Sequence, residues 1–231
     1  MNIKLSKDTL KLIAIIAMTI DHILWLIFPY NKSLFCFHII GRITLPIMCF
    51  FIAEGYIHTK NLKKYFGRMV IFTIISHFAY NFAFNIPYIP FKNGFLDQTS
   101  VMLALTLSIA FIYVKESKIR DIYKFPILII ILIMSIPSDY MFVPILITYC
   151  MYKYMNNREK FIKSFIYIQL IYSIYLILFR YIPLGTIQIF SICALVLLKL
   201  YDNTKKSKLK YFFYLYYPIH LILIGTIAKL F

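Results

Sequence analysis

Residues 10–28 read LKLIAIIAMTIDHILWLIF. At 1.5 Å per residue this run is long enough to cross a hydrocarbon core about 30 Å thick. It nevertheless carries an acid and an imidazole side by side, Asp21 and His22. A charged side chain at the centre of a spanning helix costs about 2.5–3.5 kcal/mol on insertion scales, so such groups turn toward a bundle interior or a wet cavity and take partners there. The stretch therefore reads as both a membrane span and part of a polar site. Lys4, Lys7 and Lys11 precede or open it in the manner of a signal peptide, but no small-residue cleavage site follows. A retained first span is expected.

The rest of the chain repeats the pattern. Of 231 residues, 61% are hydrophobic and 15% charged, with mean hydropathy +0.78, whereas a soluble domain has about half its residues apolar and about a quarter charged. Apolar runs are expected as spans at residues 10–28, 38–57, 66–86, 98–114, 123–137, 140–155, 162–180, 183–199 and 211–230. The 85–98 link, with Pro87, Pro90 and Gly94, is a candidate re-entrant or interfacial piece. The expectation is an all-α, polytopic helix bundle of about nine transmembrane helices, forming one transmembrane domain over residues 1–231.

Positive charge tests this count independently of hydropathy. With the N-terminus cytoplasmic, the inner segments hold Lys4, Lys7 and Lys11, then Lys60, Lys63, Lys64 and Arg68. They continue with Lys115, Lys118, Arg120 and Lys124, then Lys153, Arg158, Lys160 and Lys163, and finally Lys199, Lys205, Lys206, Lys208 and Lys210. That is twenty of the 25 basic residues. The alternation expects the C-terminus outside. It also explains the net charge of +16 as topology, with anionic lipid headgroups of the cytoplasmic leaflet as partners rather than nucleic acid. Cys36, Cys49, Cys150 and Cys193 have neither zinc nor disulfide spacing, and no metal is expected.

Once the loop charges are set aside, Asp21, His22, Arg42, Glu54, His58, His77, Asp97, Asp139 and His220 remain. In the proposed topology they form two layers. Asp21, His22, Arg42, His77, Asp97, Asp139 and His220 fall in the outer half or near the middle, as an outward-facing polar chamber. Glu54, His58 and Arg68 lie at the inner surface as a charged lip. Lys11 and His22 are three turns apart on one helix face, about 16 Å along the axis, while Asp21 points roughly 100° away and need not touch His22. Glu54 and His58 are within contact range at i and i+4. Pro46 and Pro218 are expected to kink their helices and free a carbonyl each. Simpler readings stand beside these: His58 as a snorkelling surface residue, Asp97 and Asp139 as helix caps, His77 as a packing residue and Lys11 as an ordinary inner anchor. The stretch YFFYLYYPIH, with Tyr217 and His220, fits an interfacial belt or a substrate platform.

The same residues carry a resemblance. LKLIAIIAMTIDHILWLIFP resembles the opening helix of the TraX family of bacterial membrane proteins, and IIGRITLPIMCFFIAEGYIHTKNLKKYFGRM resembles that family's longest motif. SDYMFVPILITY and YFFYLYYPIHLILI resemble two further stretches. The resemblance implies a membrane acetyltransferase that caps the N-terminal amine of pilin with acetyl-CoA, distantly similar to membrane acyltransferases of cell-envelope glycans. It marks Asp21, His22, Arg42, Glu54, His58, Arg68, Asp139 and His220. Lys11 matches the basic residue that those distant relatives place eleven positions before a first-helix histidine. The chain departs from the family pattern at DQTSVML and after SDY, which leaves the acceptor open among peptide N-terminus, sugar hydroxyl and lipid headgroup.

The expected chemistry is acyl transfer across the membrane. His22 serves as general base, Asp21 or Asp139 orients and stabilises its ring, and Arg42 stabilises the oxyanion. Arg68, Lys64, Lys63, His58, Glu54 and Lys11 receive acetyl-CoA from the cytosol, and His77, Asp97, Tyr217 and His220 receive the acceptor. A proton-coupled transporter would use the same intramembrane Asp and His groups, and an assembly or immunity scaffold would need no chamber.

Overall fold

The first helix begins where its sequence supplies a cap. The Ser6 hydroxyl accepts the Thr9 amide N–H at 3.1 Å, and Asp8 lies in the positively polarised first turn. Helix α1 then runs Lys7–Ile27 and stops before Pro29. The computed structural model describes residues 4–29, 31–89, 92, 94–202 and 210–230. Lys205, Lys206 and Lys208 of the last basic group, and Pro90, lie outside the described residues.

The second expected span is broken near its start. A 3₁₀ turn (Lys32–Phe37) leads into the short helix α2 (His38–Gly41), a turn follows at residues 42 and 43, and α3 covers Thr44–His58. Pro46 explains the position of the break. It has no N–H to donate to the Arg42 carbonyl, so the helical ladder restarts at Ile47, whose N–H reaches the Ile43 carbonyl at 3.4 Å. The kink expected at Pro46 thus falls at Arg42 itself.

Packing divides the chain into two compact units. One comprises residues 1–48 and 158–231 and includes α1, α2, α8 (Arg158–Phe179) and α9 (Ile182–Gln188). A 3₁₀ segment (Ile189–Cys193), α10 (Ala194–Lys199) and α11 (Lys210–Ala228) complete it. Side-chain contacts set the directions. Thr44 Oγ donates to the Ala14 carbonyl at 3.0 Å while Arg42 reaches Asp21, so α1 and the second segment run antiparallel. Thr19 meets Tyr216 and His22 meets His220, so α1 and α11 run parallel. Consistent with this, the Leu5 N–H bonds the Leu200 carbonyl at 2.8 Å and the Asp202 N–H bonds the Leu5 carbonyl at 2.9 Å, which places residue 5 and the residues that follow α10 at one level. Helices α8 and α9 form an antiparallel hairpin, with Gly185 where a Cβ would lie 2.7 Å from the Ser173 carbonyl.

The other unit, residues 49–157, holds α4 (Leu62–Phe84), α5 (Met102–Glu116), α6 (Asp121–Ser135) and α7 (Val143–Lys153) with most of α3. Its core includes Leu107, Phe111, Ile131 and Ile145. Thr73 joins α4 to α5 through the Thr106 hydroxyl at 2.7 Å and the Met102 carbonyl at 3.1 Å. Between residues 85 and 98 no helix forms among the described residues, so no helical re-entrant piece is seen there. The expected spans 98–114 and 140–155 shorten for a shared reason. Gln98 and Thr99 donate backbone N–H groups to the Pro137 carbonyl, and Asp139 donates to that of Thr99. Asp97, Tyr140 and Met141 all adopt positive φ, and none of these residues can join a helix in that conformation.

Among the described residues there are nine helical segments, each overlapping one expected span, and no strand beyond two isolated bridges. Four segments are long and apolar enough to cross a membrane: Lys7–Ile27, Ser33–His58, Arg158–Phe179 and Ile182–Lys199. Outward faces are apolar as well. Ile71, Ile74, Ile75 and Phe78 make an exposed stripe along α4, at the spacing of one helix face. Hydrocarbon, rather than water, is the solvent such faces fit.

Candidate functional site

Two polar clusters in the first unit grow from adjacent residues of α1. Asp21 is buried and faces the second segment. One guanidinium nitrogen of Arg42 donates to both Asp21 oxygens, at 3.0 and 3.2 Å. His38 Nδ1 donates to Asp21 Oδ1 at 2.5 Å, since a carboxylate only accepts. Arg42 Nε also donates to the His38 carbonyl at 3.3 Å. The His38 ring lies against Trp25, with centroids 4.4 Å apart, and edge-on to Phe35. Arg42 and Asp21 thus form a buried ion pair, braced by an imidazole. Close approach of the backbones makes it feasible: a Cβ on Gly41 would lie 2.5 Å from the Asp21 Cβ and Cγ.

His22 points elsewhere, as helical spacing requires, and is half-buried. Its Nδ1 lies 2.8 Å from His220 Nε2, with the two rings stacked at 5.0 Å. The other His220 nitrogen, Nδ1, lies 2.9 Å from the Tyr216 carbonyl one turn back on α11. A carbonyl only accepts, so His220 Nδ1 carries the proton. In the neutral pair His220 Nε2 is then an acceptor, His22 Nδ1–H is the donor, and the basic lone pair of His22 lies on Nε2. Tyr216 stacks on His220 at 5.1 Å, and Tyr217 meets both imidazoles edge-on. The Tyr216 hydroxyl lies 2.7 Å from Thr19 Oγ, which donates to the Ile15 carbonyl and so accepts from tyrosine. Every link in this chain of bonds orients the His22 ring.

Of the expected site residues, Asp21 and Arg42 meet in one of these clusters of the first unit, and His22, Tyr217 and His220 in the other. His77, Asp97 and Asp139 belong to the second unit. His77 has both nitrogens engaged: Nε2 donates to the Tyr88 carbonyl at 3.0 Å, and Nδ1 accepts from the Thr99 hydroxyl at 2.9 Å. This ring pins a loop to α4. Asp97 and Asp139 are half-buried, and the N-caps of the helices they precede are Val101 and Phe142 instead. Within the first unit, His220 is the hydrogen-bond partner that orients the His22 ring.

At the expected inner lip, Glu54 is buried and His58 exposed at the end of α3. Lys63 and Lys64 are exposed on the first turn of α4, which Asn61 caps by accepting the Lys64 N–H at 2.9 Å. Arg68 is half-buried, with its guanidinium over the Tyr65 ring at 5.9 Å. Its Nε is buried without a hydrogen-bond partner, a donor position suited to an anion. Lys11 is half-buried on α1.

Sequence reasoning missed His38, Gly41, Tyr216 and Thr19. His38 was legible as the i, i+4 partner of Arg42, but it sits at the very start of its span and reads as interfacial there.

The chain is 28% identical over 249 residues to a probable fimbrial assembly protein, FimC of serogroup H1, from Dichelobacter nodosus, covering all of this chain and 98% of that protein. It is 32% identical over 117 residues to an uncharacterized protein, RP591, of Rickettsia prowazekii (strain Madrid E), covering 51% of this chain and 40% of that one. No solved structure matches. The family described as TraX protein matches residues 6–228, so the chain, a membrane protein by its apolar helices, belongs to the TraX family.

Proposed function

We propose that this protein is a membrane-embedded acetyltransferase that moves an acetyl group from cytosolic acetyl-CoA to an amine at the outer side of a bacterial cytoplasmic membrane. The observation that carries the reading is the His22–His220 pair. Its bonding sets the tautomer of His22, with the proton on Nδ1, and the ring lies half-buried beside His220 and Tyr217. General-base catalysis at such a group contributes typically 10²–10⁴-fold.

In the reaction, the acceptor nitrogen attacks the thioester carbonyl. The new N–C bond forms and the C–S bond breaks, and the thiolate leaves with that bond's electron pair. His22 Nε2 takes the amine proton and returns it to the thiolate, giving free CoA thiol. His220 stabilises the His22 imidazolium by accepting from its Nδ1–H. The Asp21–Arg42–His38 cluster holds α1 against the second segment and keeps His22 aimed. Nine spans with the N-terminus inside and the C-terminus outside place the parallel α1 and α11 in the same sense. Lys63, Lys64 and Arg68 then face the cytosol, where the phosphates of the acyl donor need charge-assisted partners. The name of the Dichelobacter relative favours a fimbrial subunit as the acceptor, through the amine at its N-terminus.

Purified protein with labelled acetyl-CoA and a pilin-derived peptide tests the reading. His22→Ala should lose at least 100-fold of the transfer rate, and His220→Ala should lose a smaller factor. Transfer by His22→Ala at the wild-type rate removes His22 from the chemistry. Lys64→Glu with Arg68→Glu should raise KM for acetyl-CoA while sparing KM for the peptide. Solute flux into liposomes without any acetyl transfer would identify a transporter instead.

A further inference from the structure

Four polar side chains lie fully buried along the α8–α9 hairpin, in two segments long and apolar enough to cross a membrane. Gln169 and Ser173 on α8, and Gln188 and Ser191 at and beyond the end of α9, are all at most 1% exposed. Gln188 Nε2 donates to Gln169 Oε1 at 3.1 Å. Because an amide nitrogen only donates and an amide oxygen only accepts, this bond ties the orientation of each group to that of the other. It leaves Gln169 Nε2, Gln188 Oε1, Ser173 Oγ and Ser191 Oγ without a partner. Orphaned polar atoms in a buried site are costly and call for an occupant.

The antiparallel pairing puts these atoms in a row. Ser173 lies one turn from Gln169 on the side toward Gly185, and Ser191 lies one turn from Gln188 in the other direction. The row is therefore about two helical turns long, roughly 11 Å. At its centre a donor N–H₂ and an acceptor C=O belong to amides that share a single bond. That is half of the reciprocal pairing that amides make with one another. A secondary amide completes it: its carbonyl accepts from Gln169 and its N–H donates to Gln188. A hydroxyl one turn away on either side can serve a second amide. Neither charge nor metal chemistry fits four neutral groups.

The helix that carries half of this row changes character at Gln188. Helix α9 gives way to a 3₁₀ segment at Gln188, and 3₁₀ stretches within longer helices mark hinges because their hydrogen bonds are poorer. The start of α9 packs against α2, which carries His38, and Phe35 beside His38 meets Tyr181 edge-on.

We infer that the Gln169–Gln188 row is a subsite for the secondary amides of an extended ligand. The inference rests on the acyltransferase reading, which supplies two such ligands: the pantetheine arm of the acyl donor, with two amides separated by two methylenes, and the main chain of a peptide acceptor.

The test uses the full-length protein in lipid nanodiscs with Ser173→Ala, Ser191→Ala, Gln188→Leu and the Gln169→Leu/Gln188→Leu pair. Transfer kinetics are measured with each substrate varied in turn. Binding of CoA, pantethine and the acceptor peptide is followed separately by fluorescence of Trp25, the single tryptophan, which lies against His38 at a tilt of 37°. A pantetheine subsite predicts a tenfold or larger rise in KM for acetyl-CoA and in the Kd of CoA and pantethine, with kcat and peptide KM within twofold. A main-chain subsite predicts the same rise for the peptide alone. Either result upholds amide recognition and names its source. Wild-type constants for both substrates in the two serine variants and the folded glutamine variants would overturn it, leaving a row filled by water. Wild-type protein that binds CoA but transfers nothing would sink the acyltransferase reading while leaving the binding result standing.

Discussion

Asp21 and His22 are neighbours in sequence with separate duties. Asp21 is tied into an ion pair, and breaking a buried pair by removing one partner costs about 3–5 kcal/mol because the other charge stays buried, whereas removing both is far milder. Asp21→Leu should therefore destabilise the protein more than the Asp21→Leu/Arg42→Leu double variant, as read by thermal unfolding in detergent. Gly41→Ala should lower stability by about 1–3 kcal/mol through overpacking, because the added methyl meets the Asp21 side chain rather than a flexible tip. The same assay checks it. The polar identity of this pair of residues was readable from α1 alone, since two ionisable groups in an apolar run demand partners. The partners were less so. His38 sits sixteen residues beyond His22 at a span boundary, where a histidine needs no special reason. His220 lies 198 positions away, and local periodicity says nothing about which distant helix faces which.

Helix breaks carry information of their own. Pro46 predicted a kink, and the structure shows why it matters: the interruption frees the Arg42 segment to turn toward α1. Pro46→Ala restores an N–H for the Arg42 carbonyl, so α2 and α3 should fuse. Helicity by circular dichroism should hold or rise while acetyl transfer drops at least tenfold. Loss of both together would instead indicate general misfolding. Element boundaries were harder to read where backbone strain intervenes. Tyr140 and Met141 look like continuing span residues, yet both adopt the left-handed conformation because residues 97–99 and 137–139 are tied together through their backbones. Nothing in an apolar pattern signals that exchange of hydrogen bonds.

For the molecule as a whole, the alternation of positive charge expects the first and last spans to run in one sense, and α1 and α11 are parallel within the first unit. Odd-numbered segments α1 and α11 run the same way, and the backbone near Leu5 joins that near Tyr201. With the native cysteines replaced, a cysteine at Lys92 should react with a membrane-impermeant maleimide in intact cells, and one at Lys118 only after permeabilisation. The reverse pattern would invert the topology. The meeting of His22 and His220 has one more consequence, for biogenesis. One ring is inserted near the beginning of synthesis, the other almost two hundred residues later. No nascent intermediate can hold the paired rings, so under the acetyltransferase reading proposed above a chain stalled on the ribosome stays chemically silent until the closing helix docks.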